Sequence, residues 1–412
     1  MHAIDSRQPR RIAITGLGAV SALGLGAPAL WRAMLEARSG IGPLALPIQE
    51  TGIRMQVGAV FNEYEPTRHF TGTQLALLDR VSQFALLAAD EAIAQSGLVF
   101  TGAMASRTAV VVGTGIGGET SRDEQSRRIY RDGAERVHPM SIIRVMPSAP
   151  ASQVGMKYGL QGPTFAVSSA CASANHAIAQ AALMVRHGLA DCAVAGGTEA
   201  CFSLPGIRAW EAMRVVADDT CRPFCAQRRG LVLGEGAGMF VLESMEHARA
   251  RGAVILAELA GFGLGADAGD IVAPATEGAA EAMRQALHDA GLQVGDIDYI
   301  NAHGTGTPLN DVTESRAIRQ VFGRHADALA VSSTKGVHGH ALGAAGALEL
   351  VAVIEALRGQ VVPPTANFLD ADPACDLDYV PNIARQTPVR AALSNSFAFG
   401  GLNAVLAVVR GS

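Results

Sequence analysis

One cysteine and two histidines in this 412-residue chain stand where strand-like runs give way to small-residue turns. Cys171 lies in TFAVSSACASANHAIAQAALMVRHG, at the junction of an apolar strand and a following helix. In that helix Ala174, Ala177, Ile178, Ala181 and Val185 fall on one stripe, and Gly188 ends it. A thiol at the positive end of a helix is drawn towards thiolate, the nucleophilic form. The flanking Ala170, Ala172 and Ser173 leave room for a thioester to approach. His303 closes the strand-like IDYINAH and opens the loop GTGTP, after which Asp311 and Glu314 resemble a helix start. His340 closes SSTKGVHGH directly before the helical ALGAAGALELVAVIEALRG, five residues after Lys335, and Lys157 is the only other lysine. A free cysteine is more often a small buried hydrophobe, and a lone histidine is usually structural. The same setting recurring around all three favours one shared site, with a nucleophilic thiol and two imidazoles to donate or move protons.

These residues need a scaffold that gathers loops. Strand-like runs at RIAITGLGAVS, AVVVGTG, TFAVSSA and CAVAGG alternate with helical stretches, one of them near 75–96. The alternation resumes after residue 230 with GMFVLES, ILAELAGFG, IDYINAH, ALAVSS and AALSNSFAFGG. It predicts an α/β fold with parallel strands buried on both faces. VVVGTGIGG is echoed by INAHGTGTP, TFAVSSACASANH by ALAVSSTKGVHGH, and CAVAGGTEA more weakly by NSFAFGG. Three echoes in one order predict a duplicated unit: a disordered lead-in over 1–10, a nucleophile-bearing half over 11–250, and a histidine-bearing half over 251–412. The loops of both halves then meet at the carboxyl ends of the strands, where such folds place ligands.

Composition narrows the class. Apolar residues make up 49% and charged residues 17%, so much of the chain is expected to be buried, and the 46 glycines suit tight turns. A net charge of −5 argues against general nucleic-acid binding. The six cysteines suggest no disulfide framework, and Cys221 and Cys225 lack the second pair of a zinc site. The start MHAIDSRQPRR has no signal-type apolar core, and no apolar run reaches the ~20 residues of a membrane helix, so a cytoplasmic protein without a membrane span is expected.

Cys171 in SSACASANH, His303 in NAHGTGTP, Lys335 and His340 in STKGVHGHALGAAGALE, and the late NSFAFGGLN together resemble the β-ketoacyl-acyl carrier protein synthases of the elongating Cys-His-His class. The likeness runs from about residue 11 to the end. DTCRPF, LVLGEGAGM, DIVAP and GVHGH look closest to the nodulation-protein and type II polyketide ketosynthases. It implies the thiolase fold, five αβαβα layers from two duplicated halves, and an acyltransferase. The reaction implied is decarboxylative Claisen condensation of an acyl-Cys171 intermediate with a malonyl thioester, in fatty acid or type II polyketide or polyene elongation.

Residue by residue, the resemblance makes Cys171 the nucleophile, and His303 and His340 donors to the malonyl thioester carbonyl. Lys335 orients the site and pairs with Glu349. The backbone N–H groups at Cys171 and Phe399 form an oxyanion hole, with Gly400 and Gly401 allowing close approach, and Phe399 also serves as a gate. Thr305 and Thr307 hold the pantetheine arm, Ile116 stands at the acyl-pocket mouth, and Trp210 shapes the acyl tunnel. No metal or organic cofactor is implied, because the substrates ride on the phosphopantetheine of an acyl carrier protein. The implied assembly is a homodimer, or a heterodimer with a non-catalytic chain-length-factor-like subunit. A thiolase would need a late second cysteine, an initiating synthase an asparagine in place of His340, and a non-catalytic subunit would lack Cys171. The chain departs from the fatty-acid pattern at His338, Asp270 and Val272, and TGTQLALLDR lacks the usual basic cluster. Carrier docking is therefore expected to rest on Arg127, Arg128, Arg131, Arg136 and Arg214.

Overall fold

A computed structural model describes residues 9–44 and 52–411. Ten strands carry the architecture: β1 (Ile12–Ser21), β2 (Thr108–Gly113), β3 (Thr164–Val167), β4 (Cys192–Glu199), β5 (Gly236–Ser244), β6 (Ala257–Ala266), β7 (Tyr299–Asn301), β8 (Ala330–Ser332), β9 (Ala391–Ala398) and β10 (Leu402–Arg410). The first half is ordered β3-β2-β4-β5-β1 and the second β8-β7-β9-β10-β6, so each strand has a counterpart at the same place in the other half. The three sequence echoes fall on β2 and β7, β3 and β8, and β4 and β9. The halves join where Ile12–Ile14 of β1 pair with Ala257–Leu259 of β6.

Only the outer pairs, β2 with β3 and β4, and β7 with β8 and β9, are parallel. The central strands β4, β5, β1, β6, β10 and β9 pair antiparallel, which corrects the expectation of a parallel sheet. For β9 and β10 the reason is local: they are separated only by residues 399–401, and a connection that tight can join only antiparallel neighbours.

Helices complete five layers. They are α1 (Arg80–Ser96), α2 (Glu119–Tyr130), α3 (Ser173–Arg186), α4 (Leu204–Met213), α5 (Thr276–Ala290), α6 (Pro308–Phe322) and α7 (Ala345–Gly359). α1 covers the outer face of the first sheet and α5 that of the second, while α3 and α7 pack on each other between the sheets. The helix expected near 75–96 is broken before Asp79, whose carboxylate accepts the Val81 N–H and caps α1. α3 buries Ser173, Asn175, Ala179 and Ala182 beyond the expected stripe, and α7 is buried all round, as a middle layer requires.

Close approach also explains much of the glycine content. A side chain at Gly16 of β1 would meet the Ala92 carbonyl at 2.0 Å, and one at Gly263 of β6 the Ala282 carbonyl at 1.9 Å. These equivalent strand glycines let α1 and α5 press onto their sheets, a use of glycine separate from the turns expected. Of the lead-in, residues 1–8 lie outside the described residues; Arg10 is held, its N–H donating to the Arg186 carbonyl (3.1 Å) and its guanidinium to Asp191 (3.1 Å). Among the described residues no helix is long and apolar enough to cross a membrane.

Candidate active site

After β3 the chain turns sharply into α3. Ala170 takes a left-handed conformation (φ 48°), and Ser173 braces the turn by accepting the Ser169 N–H (2.9 Å) and donating to the Ala170 carbonyl (2.6 Å). Cys171 is thereby set two residues before the helix begins. In the other half Leu342 repeats the turn (φ 45°), three residues before α7 as Ala170 stands three before α3. His340 lies on this second turn, its N–H donating to the Val232 carbonyl at 2.7 Å.

The turns face each other. His340 Nε2 is 3.1 Å from Cys171 Sγ, and the rings of His303 and His340 stand 5.4 Å apart at 83°. The loop of His303 is pinned from α6: Glu314 accepts the N–H groups of His303 and Gly304 (both 2.8 Å), and Asp311 accepts those of Phe224 (2.7 Å) and Gly306 (3.2 Å). Sequence reading took these two carboxylates for a helix start alone. Their spacing of three places both on one face of α6, turned back towards the loop.

Lys335 and Glu349 are both 0% exposed and form an ion pair; the ammonium also donates to the His303 carbonyl and lies 3.4 Å from His303 Nδ1. An ammonium offers only protons, so Nδ1 is the acceptor and Nε2–H remains free to donate into the cleft. Burial, with Lys335 nearby, pulls both imidazoles well below the usual histidine range, so both are neutral. Burial pushes the Cys171 thiol up to about 12, with Lys335 pulling it back and Glu199 and Glu349 opposing. This corrects the expectation that the helix start alone ionises Cys171: desolvation outweighs it, the resting group is a thiol, and His340 Nε2 is placed to take its proton. The sulfur and the two rings offer ligand atoms within 4.8 Å of one another, a spacing that suits a soft metal, but the adjacent Lys335 ammonium opposes a cation.

Cys171, His303 and His340 open on one cavity of about 280 Å³, walled by Phe397 and Phe399 and by Thr305 and Thr307, whose hydroxyls are 2.9 Å apart. Ile116 and Trp210 join the apolar cluster containing Cys171, and the Trp210 ring stacks on Phe399 at 6.1 Å. Gly400 has φ 82°, and its N–H donates to the Ile271 carbonyl at 2.8 Å, which anchors the turn carrying Phe399. The cavity mouth brings together Arg214, Val272 and Arg229; sequence reading missed Arg229, whose signal was the adjacent pair in QRRG. Arg127, Arg128, Arg131 and Arg136 do not line this cavity, and Arg127 is bound to Asp123 at 3.1 Å. His338 is buried, shares a 2.9 Å contact with the Thr334 hydroxyl, and is held down to about 3 by burial.

A buried thiol facing two neutral imidazoles, at the loops of two like α/β halves, defines a condensing enzyme of the thiolase fold. The family description "Beta-ketoacyl synthase, N-terminal domain" matches residues 9–248 and "Beta-ketoacyl synthase, C-terminal domain" residues 256–369, so the chain belongs to the β-ketoacyl synthases. It is similar to nodulation protein E of Rhizobium sp. (strain N33), 53% identical over 97% of this chain and 98% of that protein. It is also similar to 3-oxoacyl-[acyl-carrier-protein] synthase 2 of Coxiella burnetii (strain RSA 493 / Nine Mile phase I), 39% identical over 98% of this chain and 99% of the relative. Among solved structures, the ishigamide ketosynthase/chain length factor superposes with a TM-score of 0.93 at 33% identity, covering 98% of this chain and 100% of that one.

Two outcomes follow from the buried charges. Glu349→Ala leaves the Lys335 charge unpaired and is expected to cost about 3–5 kcal/mol in denaturant unfolding. The double variant Lys335→Met with Glu349→Leu should recover most of that stability without recovering activity. Alkylation of Cys171 by iodoacetamide should keep accelerating as pH rises past 9 rather than level off near neutrality. Lys335→Met should slow it at every pH below the thiol's own range, because the lysine favours the thiolate.

Proposed function

We propose that this chain extends acyl chains on an acyl carrier protein through Cys171, His303 and His340. The observation that carries the reading is the thiol and two neutral imidazoles converging on one cavity, with His340 Nε2 3.1 Å from the sulfur. The Cys171 sulfur attacks the acyl thioester carbonyl as its proton passes to His340; the new C–S bond holds the acyl group, and the carrier thiol leaves with a proton. The malonyl thioester then binds with its carbonyl oxygen towards His303 Nε2–H and towards His340, whose ring proton shifts from Nδ1 to Nε2 once the thiol proton has been passed on, so that both rings donate. Its carboxylate leaves as carbon dioxide, and the released electron pair is held as an enolate under those donors. That carbon attacks the acyl-Cys171 carbonyl, the C–S bond breaks, and the Cys171 thiolate so released takes a proton from water to restore the starting thiol.

Supporting groups follow from position. Lys335, held by Glu349, keeps His303 in the donating tautomer. The N–H groups of Cys171 and Phe399 receive the oxyanion, with Gly400 and Gly401 bending the second into place. Thr305 and Thr307 bind the pantetheine arm, while Ile116, Trp210 and the Phe399 gate shape the acyl side. Residues 11–250 supply the nucleophile and 251–412 the imidazoles, and the enzyme works in the cytoplasm, where carrier-bound thioesters are made. Arg214 at the mouth, with Arg136 and the exposed Arg128 and Arg131, receives the carrier; Arg127 contributes less, since Asp123 already holds it. The assembly is a homodimer, or a heterodimer with a chain-length-factor-like subunit. The ketosynthase/chain length factor likeness supports a second reading, a catalytic subunit active with a non-catalytic partner, and the native mass of the purified chain, alone and coexpressed, separates the two.

Intact-protein mass spectrometry with acyl- and malonyl-carriers tests the mechanism. Cys171→Ala should show no acyl adduct and no transfer. His303→Ala should acylate at close to the native rate but decarboxylate about 10²–10³-fold more slowly, the usual loss for one such donor; equal loss of both steps would count against the assignment. For docking, Arg136→Glu with Arg214→Glu should raise the carrier KM in a salt-dependent way and leave small pantetheine thioesters unaffected. Unchanged carrier binding refutes the docking site.

A further inference from the structure

Glu199, the last residue of β4, is fully buried and has no part in the steps above. Its Oε2 accepts the Gly115 N–H at 2.7 Å and the Gly343 N–H at 2.9 Å. Its Oε1 accepts the Thr114 hydroxyl at 3.1 Å and the Ile116 N–H at 3.3 Å. One carboxylate thus joins loops from the two halves: 114–116, which carries Ile116, and 340–343, which begins at His340. The loops also touch directly, since a methyl group added at Gly343 would come within 2.3 Å of the Gly115 nitrogen. Between His340 and Gly343 stands Leu342, held at φ 45°, a strained setting that leaves the second loop little freedom of its own. Ile116, Cys171 and Leu342 share one apolar cluster.

Resting on the reading of Ile116 as the lip of the acyl pocket, we propose that Glu199 is a positioning residue coupling that lip to His340, so that an acyl chain entering the pocket sets His340 for decarboxylation. An acyl chain on Cys171 must pass Ile116 and move it. The displacement reaches the carboxylate through the N–H groups of Gly115 and Ile116, passes to Gly343, and so to His340 three residues earlier. No bond is made or broken at Glu199. The consequence is order: malonyl groups are decarboxylated chiefly when an acyl partner is waiting on the sulfur.

The full-length protein provides the test. Acylation of Cys171 is followed by intact mass, and carbon dioxide release from malonyl-carrier is compared for free enzyme and for enzyme already acylated. Native protein should release carbon dioxide faster when acylated. Glu199→Gln keeps the shape but turns an NH₂ towards groups that are themselves donors. It should acylate within about threefold of native, while stimulation by the acyl group falls by about tenfold or more, up to the roughly 10²-fold loss that a 1 Å misplacement of a catalytic group can produce. Thr114→Val, which removes one bond to the carboxylate and the acceptor of the Gly117 N–H (3.1 Å), should fall between the two with only a modest drop in unfolding temperature, and it keeps the test available if Glu199→Gln does not fold. Undiminished stimulation in the variants, equal loss of acylation and decarboxylation, or no stimulation in native protein would each overturn the coupling. Native protein that is never acylated at Cys171 would instead overturn the reading on which it rests.

Discussion

The Lys335–Glu349 ion pair, sealed between the two sheets, is the interaction on which the active site depends. A charge in that layer is tolerated only when paired, so Glu349 on α7 holds the ammonium in place, and the ammonium has protons to give to whatever else is near. It gives them to the carbonyl and Nδ1 side of His303. One pair therefore fixes a ring orientation and a tautomer, and its ammonium adds to the burial that keeps both imidazoles neutral and offsets part of the desolvation that holds Cys171 as a thiol. Removing it would change three groups together, although it touches neither the sulfur nor His340.

Duplication supplies the geometry. Two like units stacked about α3 and α7 bring two like strand-to-helix turns face to face, each with a non-glycine residue held at positive φ, Ala170 on one side and Leu342 on the other. The first turn presents a sulfur and the second an imidazole. Because both turns are braced by the helices they begin, the 3.1 Å approach of Cys171 to His340 is set by the packing of the middle layer rather than by flexible loops.

Much of this was legible in the sequence. The order of echoed segments corresponds to the order of strands, because each echo marks the exit of a strand into a loop that must do similar work in both halves. Strand direction was misread: alternation of apolar runs with helices pointed to parallel pairing, which holds only for the outer pairs, and the three-residue link between β9 and β10 marks just one of the antiparallel pairs. The state of Cys171 was misjudged for a related reason. Position at a helix start is visible in sequence, whereas the desolvation that outweighs it comes from residues as distant as Leu342 and Ala398. Glu314, Asp311 and Glu199 were underread because their function is to accept backbone N–H groups, and such partners leave no mark on residue type.

The distribution of buried charge suggests why the chemistry and the choice of substrate can vary separately in this fold. Cys171, His303, His340 and the Lys335–Glu349 pair are all buried, where a change of volume or charge is costly. The groups that meet the acyl chain or the carrier lie on the outer turns: Trp210 on α4, Phe399 on the β9–β10 link, Val272 and Arg214 at the mouth. A change there alters the shape or polarity of the approach without disturbing the ion pair or the two braced turns. The departures at Asp270 and Val272 belong to this outer set. His338 is the exception, since it is buried beside the Lys335 helix, where burial holds it neutral and its contact with Thr334 satisfies one ring nitrogen. A neutral imidazole in that position adds no charge to the layer, so the field around His303 and His340 stays dominated by a single ammonium.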